Sequence, residues 1–195
     1  MNKEDGYLEI ILGPMFSGKT SKLIEIHKMY TFCDNQVIVV NHSFDNTRYG
    51  VDMSTHDGNK ISCTNVQNLK EIYNIHNNIF KKKNGSSTIA VLINEAQFFT
   101  DLYDVVHDLI SIDKCHVYVA GLDGDSDRNK FGQIIDLIPL CDKVNKLKSL
   151  CYYCKNGTHA IFSFRVDQCT DQINIGSIDK YIPLCRKCYE NKLKT

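Results

Sequence analysis

The chain has 195 residues, 43% hydrophobic and 24% charged, with a formal net charge of +0, a composition suited to one soluble domain or one domain with a small appendage. The neutral balance argues against bulk electrostatic binding to nucleic acid or to an anionic membrane. No apolar run approaches the roughly 18–20 residues that span a bilayer, and the N-terminal MNKEDGYLEIIL shows no secretory signal, so a cytoplasmic setting without membrane contact is expected.

Residues 7–12 (YLEIIL) read as a short apolar strand. Residues 19–32 predict a helix with Leu23, Ile26, His27 and Tyr30 on one face. QVIVV (36–40) is a second buried strand. NIHNNIFKKKNGSS (74–87) is polar, a helix end followed by a surface loop that turns at KNGSS (83–87). TIAVLI (88–93) is a third strand, FTDLYDVVHDLI (99–110) an amphipathic helix and HVYVAGL (116–122) a fourth strand. FGQIIDLIPLC (131–141) is a short helix running to Pro139. Strands alternating with helices imply an α/β fold, with an open parallel sheet of the P-loop, RecA-like kind and helices on both faces. Near 148–150 the texture changes: cysteines cluster and apolar periodicity is lost. The expected domains are 1–148 and a small zinc-ribbon-like unit, 149–195.

GPMFSGKT (13–20) lies between the first strand and the first helix, the setting that a Gly-x4-Gly-Lys-Thr phosphate loop requires. The backbone of Gly13, Pro14, Met15, Phe16, Ser17 and Gly18 can curl N–H groups around phosphates at the positive end of a helix. Lys19 reaches the β and γ oxygens, and the Thr20 hydroxyl suits a magnesium ion. The site is one for a nucleoside triphosphate.

IAVLINEAQFF (89–99) carries a buried strand onto Asn94 and Glu95. Strand ends of a parallel sheet share one edge, where ligands bind, so Glu95 should lie near the γ-phosphate and can accept a proton from an attacking hydroxyl or water. The alternative is a carboxylate that caps the helix beginning near residue 99. At this point both a phosphotransferase and an ATPase remain open.

SLCYYCKNG (149–157) and PLCRKCYEN (183–191) place two Cys-x2-Cys pairs thirty residues apart. Cys151, Cys154, Cys185 and Cys188 can meet as four thiolates on one zinc ion, which leaves no open position for a reacting water and makes the site structural. It would staple a segment with too little core to fold alone. Cys33, Cys63, Cys115, Cys141 and Cys169 lack such pairing and read as core or surface thiols.

Together these features resemble the type II, zinc-containing thymidine kinases. GPMFSGKT, THD (55–57), EAQFF (95–99), AGLDGD (120–125) with FG at 131–132, and the two knuckles with DKY (179–181) between them occur in that family's order. The resemblance implies transfer of the ATP γ-phosphate, with Mg2+, to the 5′-hydroxyl of thymidine, in nucleotide salvage for DNA synthesis. It implies Glu95 as general base and Arg48 among the phosphate contacts. It further implies a nucleoside pocket built from Met15, Phe98, Phe131, Ser163, Gly176 and Tyr181, with Tyr181 on a lasso held by the zinc. A homotetramer and feedback by dTTP are implied in the same way.

Three positions depart from the family pattern. Asn94 stands where an aspartate usually helps to hold magnesium, Ser126 stands where an aromatic residue often follows LDG, and in FDNTRYG (44–50) Arg48 matches while the acidic partner is Asp45 displaced or Asn46 substituted. Two other functions compete. A RecA-like ATPase would use Glu95 on water, but this chain has little spare length for partner contacts. A zinc-ribbon nucleic-acid binder would use the ten Lys and Arg against four Asp and Glu between 143 and 195, but aromatic interleaving is thin.

Overall fold

The computed structural model describes residues 5–45, 52–54, 60–81, 88–167, 172 and 180–194. β1 (Tyr7–Leu12) leads through α1 (Lys19–Phe32) to β2 (Gln36–His42), and β3 (Asp52–Ser54), β4 (Lys60–Ser62) and β5 (Thr64–Val66) follow. Next come α2 (Ile72–Ile75), α3 (Asn77–Lys81), β6 (Ile89–Ile93), α4 (Leu102–Ser111), β7 (His116–Gly121) and β8 (Lys143–Lys146). The central sheet has six strands in the order β5-β2-β6-β7-β1-β8, all paired in parallel.

Strand alternation splits the core into two faces. Leu8, Ile10 and Leu12 of β1 and Ile89, Val91 and Ile93 of β6 pack under Leu102, Val105, Val106 and Leu109 of α4. On the other face, Ile11, Val39, Ala90, Leu92 and Ala120 meet Leu23, Ile24, Ile26 and Tyr30 of α1. The sheet is covered by helices on both faces, which is why its inner strands are mostly apolar, with Glu9 of β1 and His116 of β7 among the buried polar exceptions.

Several local expectations change. Within α1, Ile24 is buried, whereas His27 is half-buried. The helix placed at 99–110 begins only at Leu102, because the Asp101 carboxylate accepts the backbone N–H groups of Leu69 and Lys70 at 3.0 Å each. Residues Ile134–Leu140 form a 3-10 helix that contains Pro139. The polar 74–87 stretch holds two short helical segments up to Lys81, and 82–87 lie outside the described residues.

Two sheet strands, β5 and β8, had no apolar run to announce them. β8 reads KVNK. Its place at the sheet edge follows from Glu9 on β1, which is 5% exposed and needs partners. Asn145 donates to Glu9 at 2.5 Å, Lys143 approaches it to 3.4 Å and the Tyr7 hydroxyl donates to it at 3.0 Å.

Beyond β8 the chain forms two small antiparallel pairs, β9 (Ser149–Leu150) with β10 (His159–Ala160) and β11 (Phe162–Arg165) with β12 (Tyr181–Leu184), and ends in α5 (Arg186–Lys192). A third cluster of buried residues joins them: Cys151, Ala160, Ile182, Leu184, Cys185 and Tyr189.

Candidate active site and metal centre

β6, β7 and β1 are successive neighbours, so the segments leaving their carboxyl ends emerge side by side, about 5 Å apart per strand. The first is the loop of residues 13–18, which enters α1 through a left-handed Gly18 with φ 85°. Lys19 folds back over it, donating to the carbonyls of Gly13 at 3.0 Å and Pro14 at 2.9 Å. Burial pulls the Lys19 ammonium below its usual range, while the nearby carboxylates of Glu95 and Asp123 push it back up. Thr20 sits in the first turn of α1. Ser17 Oγ is buried with no hydrogen-bond partner among the described residues, an acceptor and donor set beside a loop shaped for an anion.

The second segment leaves β6. Asn94 is 3% exposed, its N–H bonds Val40 O at 2.9 Å and its Nδ2 donates to Asn41 Oδ1 at 3.1 Å. With the nitrogen so committed, the Asn94 oxygen is the atom left for other donors. Glu95 takes a left-handed backbone, φ 50° and ψ 39°, and opens the 3-10 turn Ala96–Phe98 without capping it. The helix-cap alternative therefore fails for Glu95, whose left-handed backbone is shared by Phe16 of the phosphate loop. Gln97 Nε2 donates to its carboxylate at 2.7 Å.

The third segment, 122–130, follows β7. Asp123 forms a 2.5 Å ion pair with Lys146 at the end of β8. A cleft of about 200 Å³ lies between Pro14, residues 123–125, Arg128, Lys146 and residues 161–163. The Ser163 hydroxyl, on β11, accepts the Met15 backbone N–H at 2.9 Å, so the small C-terminal unit touches the phosphate loop directly. Gln172 Nε2 donates to Asp125 at 2.7 Å, and the Tyr189 hydroxyl donates to the Ser126 carbonyl at 2.5 Å. Arg128 lies over the Tyr189 ring at 4.7 Å.

Of the nucleoside-pocket residues expected from sequence, Phe98 and Phe131 meet edge to face with centroids 5.6 Å apart. Phe98 also lies 5.6 Å from the ring of His42 and 5.8 Å from that of Phe44. Met15 and Ser163 are joined as described. Tyr181 is buried beside Arg165, which donates to its hydroxyl at 2.9 Å and lies 5.4 Å over its ring. Arg48, Gly176, Asn46, Cys169 and the 55–57 motif lie outside the described residues. Sequence reasoning gave no role to Gln97, Asp123, Lys146 or Asn41. For Asp123 the signal was present, since it follows a buried strand as Glu95 does.

The sulfur atoms of Cys151, Cys154, Cys185 and Cys188 all lie within 4.8 Å of one another. Cys154 is 3.8 Å from Cys185 and 3.5 Å from Cys188, matching the edge of about 3.8 Å expected for a tetrahedron with Zn–S bonds of about 2.3 Å. All four are free thiols. Burial pushes the Cys151 thiol up, but the N–H groups of Cys185, Cys154 and Tyr153 outweigh it and bring it down to about 6. Hydrogen bonding to Cys154 pushes Cys188 up to about 12. Four thiols this close ionise together only around a cation, so the donor set fits a soft divalent metal such as zinc.

A family model described as thymidine kinase matches residues 6–189. A thymidine kinase of Oryza sativa subsp. japonica is 38% identical over 189 residues, with 94% of this chain and 66% of that protein covered. A thymidine kinase of Mycoplasma mobile is 35% identical over 187 residues, covering 95% and 88%. One from Myxoma virus is 36% identical over 185 residues, covering 94% and 96%. The chain thus spans about two thirds of the plant protein's length and most of the other two.

Proposed function

The chain belongs to the thymidine kinase family, and from that membership we infer that it transfers the ATP γ-phosphate to the 5′-hydroxyl of thymidine. The observation that carries this is that the loop leading to Lys19 and the turn that opens on Glu95 leave the carboxyl ends of β1 and β6, two places apart in one parallel sheet. The hydroxyl oxygen attacks the γ-phosphorus, its proton passes to Glu95, and the bond to the β–γ bridging oxygen breaks to release ADP. Lys19 and the loop N–H groups carry the charge of the phosphates. Phe98, Phe131, Met15, Ser163 and Tyr181 form the walls for the base. On family resemblance, Gly176 and Arg48 complete the substrate contacts.

Incubating ATP with each of the four deoxynucleosides tests this. Labelled dTMP is the expected product, whereas ATP hydrolysis that ignores every nucleoside would restore the ATPase reading. No helix among the described residues is long and apolar enough to cross a membrane. On the resemblance we also propose a cytoplasmic homotetramer inhibited by dTTP, and a division into units 1–148 and 149–195.

The residues that would hold magnesium are Thr20 and Asn94, and when bound the ion neutralises phosphate charge. Replacing Asn94 by aspartate should lower the magnesium concentration for half-maximal activity, with less effect at saturation. A carboxylate binds metal-held water about twice as strongly as an amide. Like-charge repulsion from Glu95 opposes the gain, and the Asn41 amide must turn to donate. Magnesium titrations at two pH values check this. An unchanged requirement at both would place residue 94 outside the metal's surroundings.

For the four cysteines we propose one structural zinc per chain. Changing Cys185 and Cys188 together to serine should abolish bound zinc and make the 155–184 segment protease-sensitive, because closure of that segment depends on the metal. Purified protein without metal and with oxidised cysteines would contradict this.

A further inference from the structure

Gln97 is 4% exposed, in the turn just after Glu95. Its amide is held at both ends. Oε1 accepts the Leu122 backbone N–H at 3.0 Å, and Nε2 donates to Glu95 Oε2 at 2.7 Å. The Leu122 N–H can only donate, so the amide oxygen must face it and the nitrogen must face Glu95. The amide cannot be reversed without breaking both bonds. Glu95 is thereby presented with a proton donor, and on that oxygen it acts as an acceptor.

The backbone around Gln97 has been cleared to admit it. A Cβ on Gly121 would lie 2.6 Å from Gln97 Oε1, and one on Gly132 would lie 2.2 Å from the Gln97 carbonyl oxygen. Gly121 of the AGLDGD motif and Gly132 of the FG motif therefore make room for one neighbour that neither motif contains. Segments from two other motifs thus pack against this one residue, and its side chain ties the end of β6 to the end of β7.

We propose that Gln97 is the positioning residue for Glu95. It braces the left-handed backbone and fixes one carboxylate oxygen, leaving the other, which has no hydrogen-bond partner among the described residues, for the reacting hydroxyl. The proposal rests on Glu95 acting as the base in the kinase reaction. Gln97 touches neither phosphate nor nucleoside in this role, so its loss should alter turnover and not binding.

The test is a cycle of Gln97→Met and Gln97→Glu, each with and without Glu95→Gln, followed by steady-state kinetics and thermal melting. Methionine keeps length and burial but offers no hydrogen bond. Glutamate keeps the shape and can accept the Leu122 N–H, but it sets a second carboxylate against Glu95. Each single variant should lose about 10–100-fold in kcat, the scale set by misplacing a reacting group, with KM for thymidine and ATP moving less than about threefold. In the Glu95→Gln background neither change should lower the residual rate further, since no carboxylate remains to be placed. A folded Gln97→Met with kcat near that of the unaltered protein, a loss carried by KM, or an additive loss in the double variant would each overturn the proposal while leaving Glu95 as base. If Glu95→Gln alone keeps its turnover, the base assignment fails and this proposal fails with it. Should methionine destabilise the fold, the near-isosteric Gln97→Glu decides the same question by the same kinetic criteria.

Discussion

Glu95→Gln should lower kcat by about 10²–10⁴-fold, the usual contribution of a general base, while ATP and thymidine bind almost as before. The amide has the shape of the carboxylate but cannot take the proton of the attacking hydroxyl. Packing should survive, because Glu95 is half-buried at a turn and its side chain caps no helix. One local penalty is foreseeable: Gln97 Nε2 would meet an amide in place of a carboxylate, and residue 95 would turn its own oxygen toward it. Steady-state kinetics with calorimetric binding of both substrates decides the matter. A loss of less than about tenfold, or roughly 1.4 kcal/mol of barrier, would remove Glu95 from the chemistry.

Lys19→Ala should weaken ATP binding and turnover together. A hydrogen bond to a charged group contributes about 1.5–3 kcal/mol, which is about 10–150-fold in affinity, and in the proposed reading Lys19 would offer its charge to the β and γ phosphates. The substitution also removes the two bonds from Nζ to Gly13 O and Pro14 O, so the loop loses part of its brace. Calorimetry with ATP, accompanied by a melting curve to show that the fold persists, is the measurement. Unchanged ATP affinity in a folded variant would mean that the loop does not hold the triphosphate.

The main architecture was legible because its strands are buried on both faces. TIAVLI is apolar apart from its first residue and YLEIIL is broken only by Glu9, and the glycine-rich loop and Glu95 follow from where such strands end. The sheet's outer members were not legible. β8 is polar, and it is held by what Glu9 needs as a partner, a requirement fixed only when the strands lie side by side. Helix α4 starts late for the same kind of reason, since Asp101 is taken up by backbone N–H groups some thirty residues earlier in the chain. Within the site, the four cysteines could be read from spacing alone, because knuckle geometry is local. Gln97 could not. Its partner Leu122 lies 25 residues further on, and an amide in a motif carries no periodic or charge signal.

The bond from the Met15 N–H to Ser163 joins the phosphate loop to the unit that the four cysteines hold together. That bond is a direct physical link between the two elements, and thermodynamics fixes the form that any coupling through it must take. Whatever factor the bound metal contributes to ATP affinity, ATP must return to the metal's affinity by reciprocity. Where a bound metal tightens ATP binding, bound ATP must tighten the metal by the same factor, and metal removal would then be felt first by molecules without nucleotide. In that case the cysteine cluster, otherwise a static staple, is one side of a linked equilibrium whose other side is the phosphate donor.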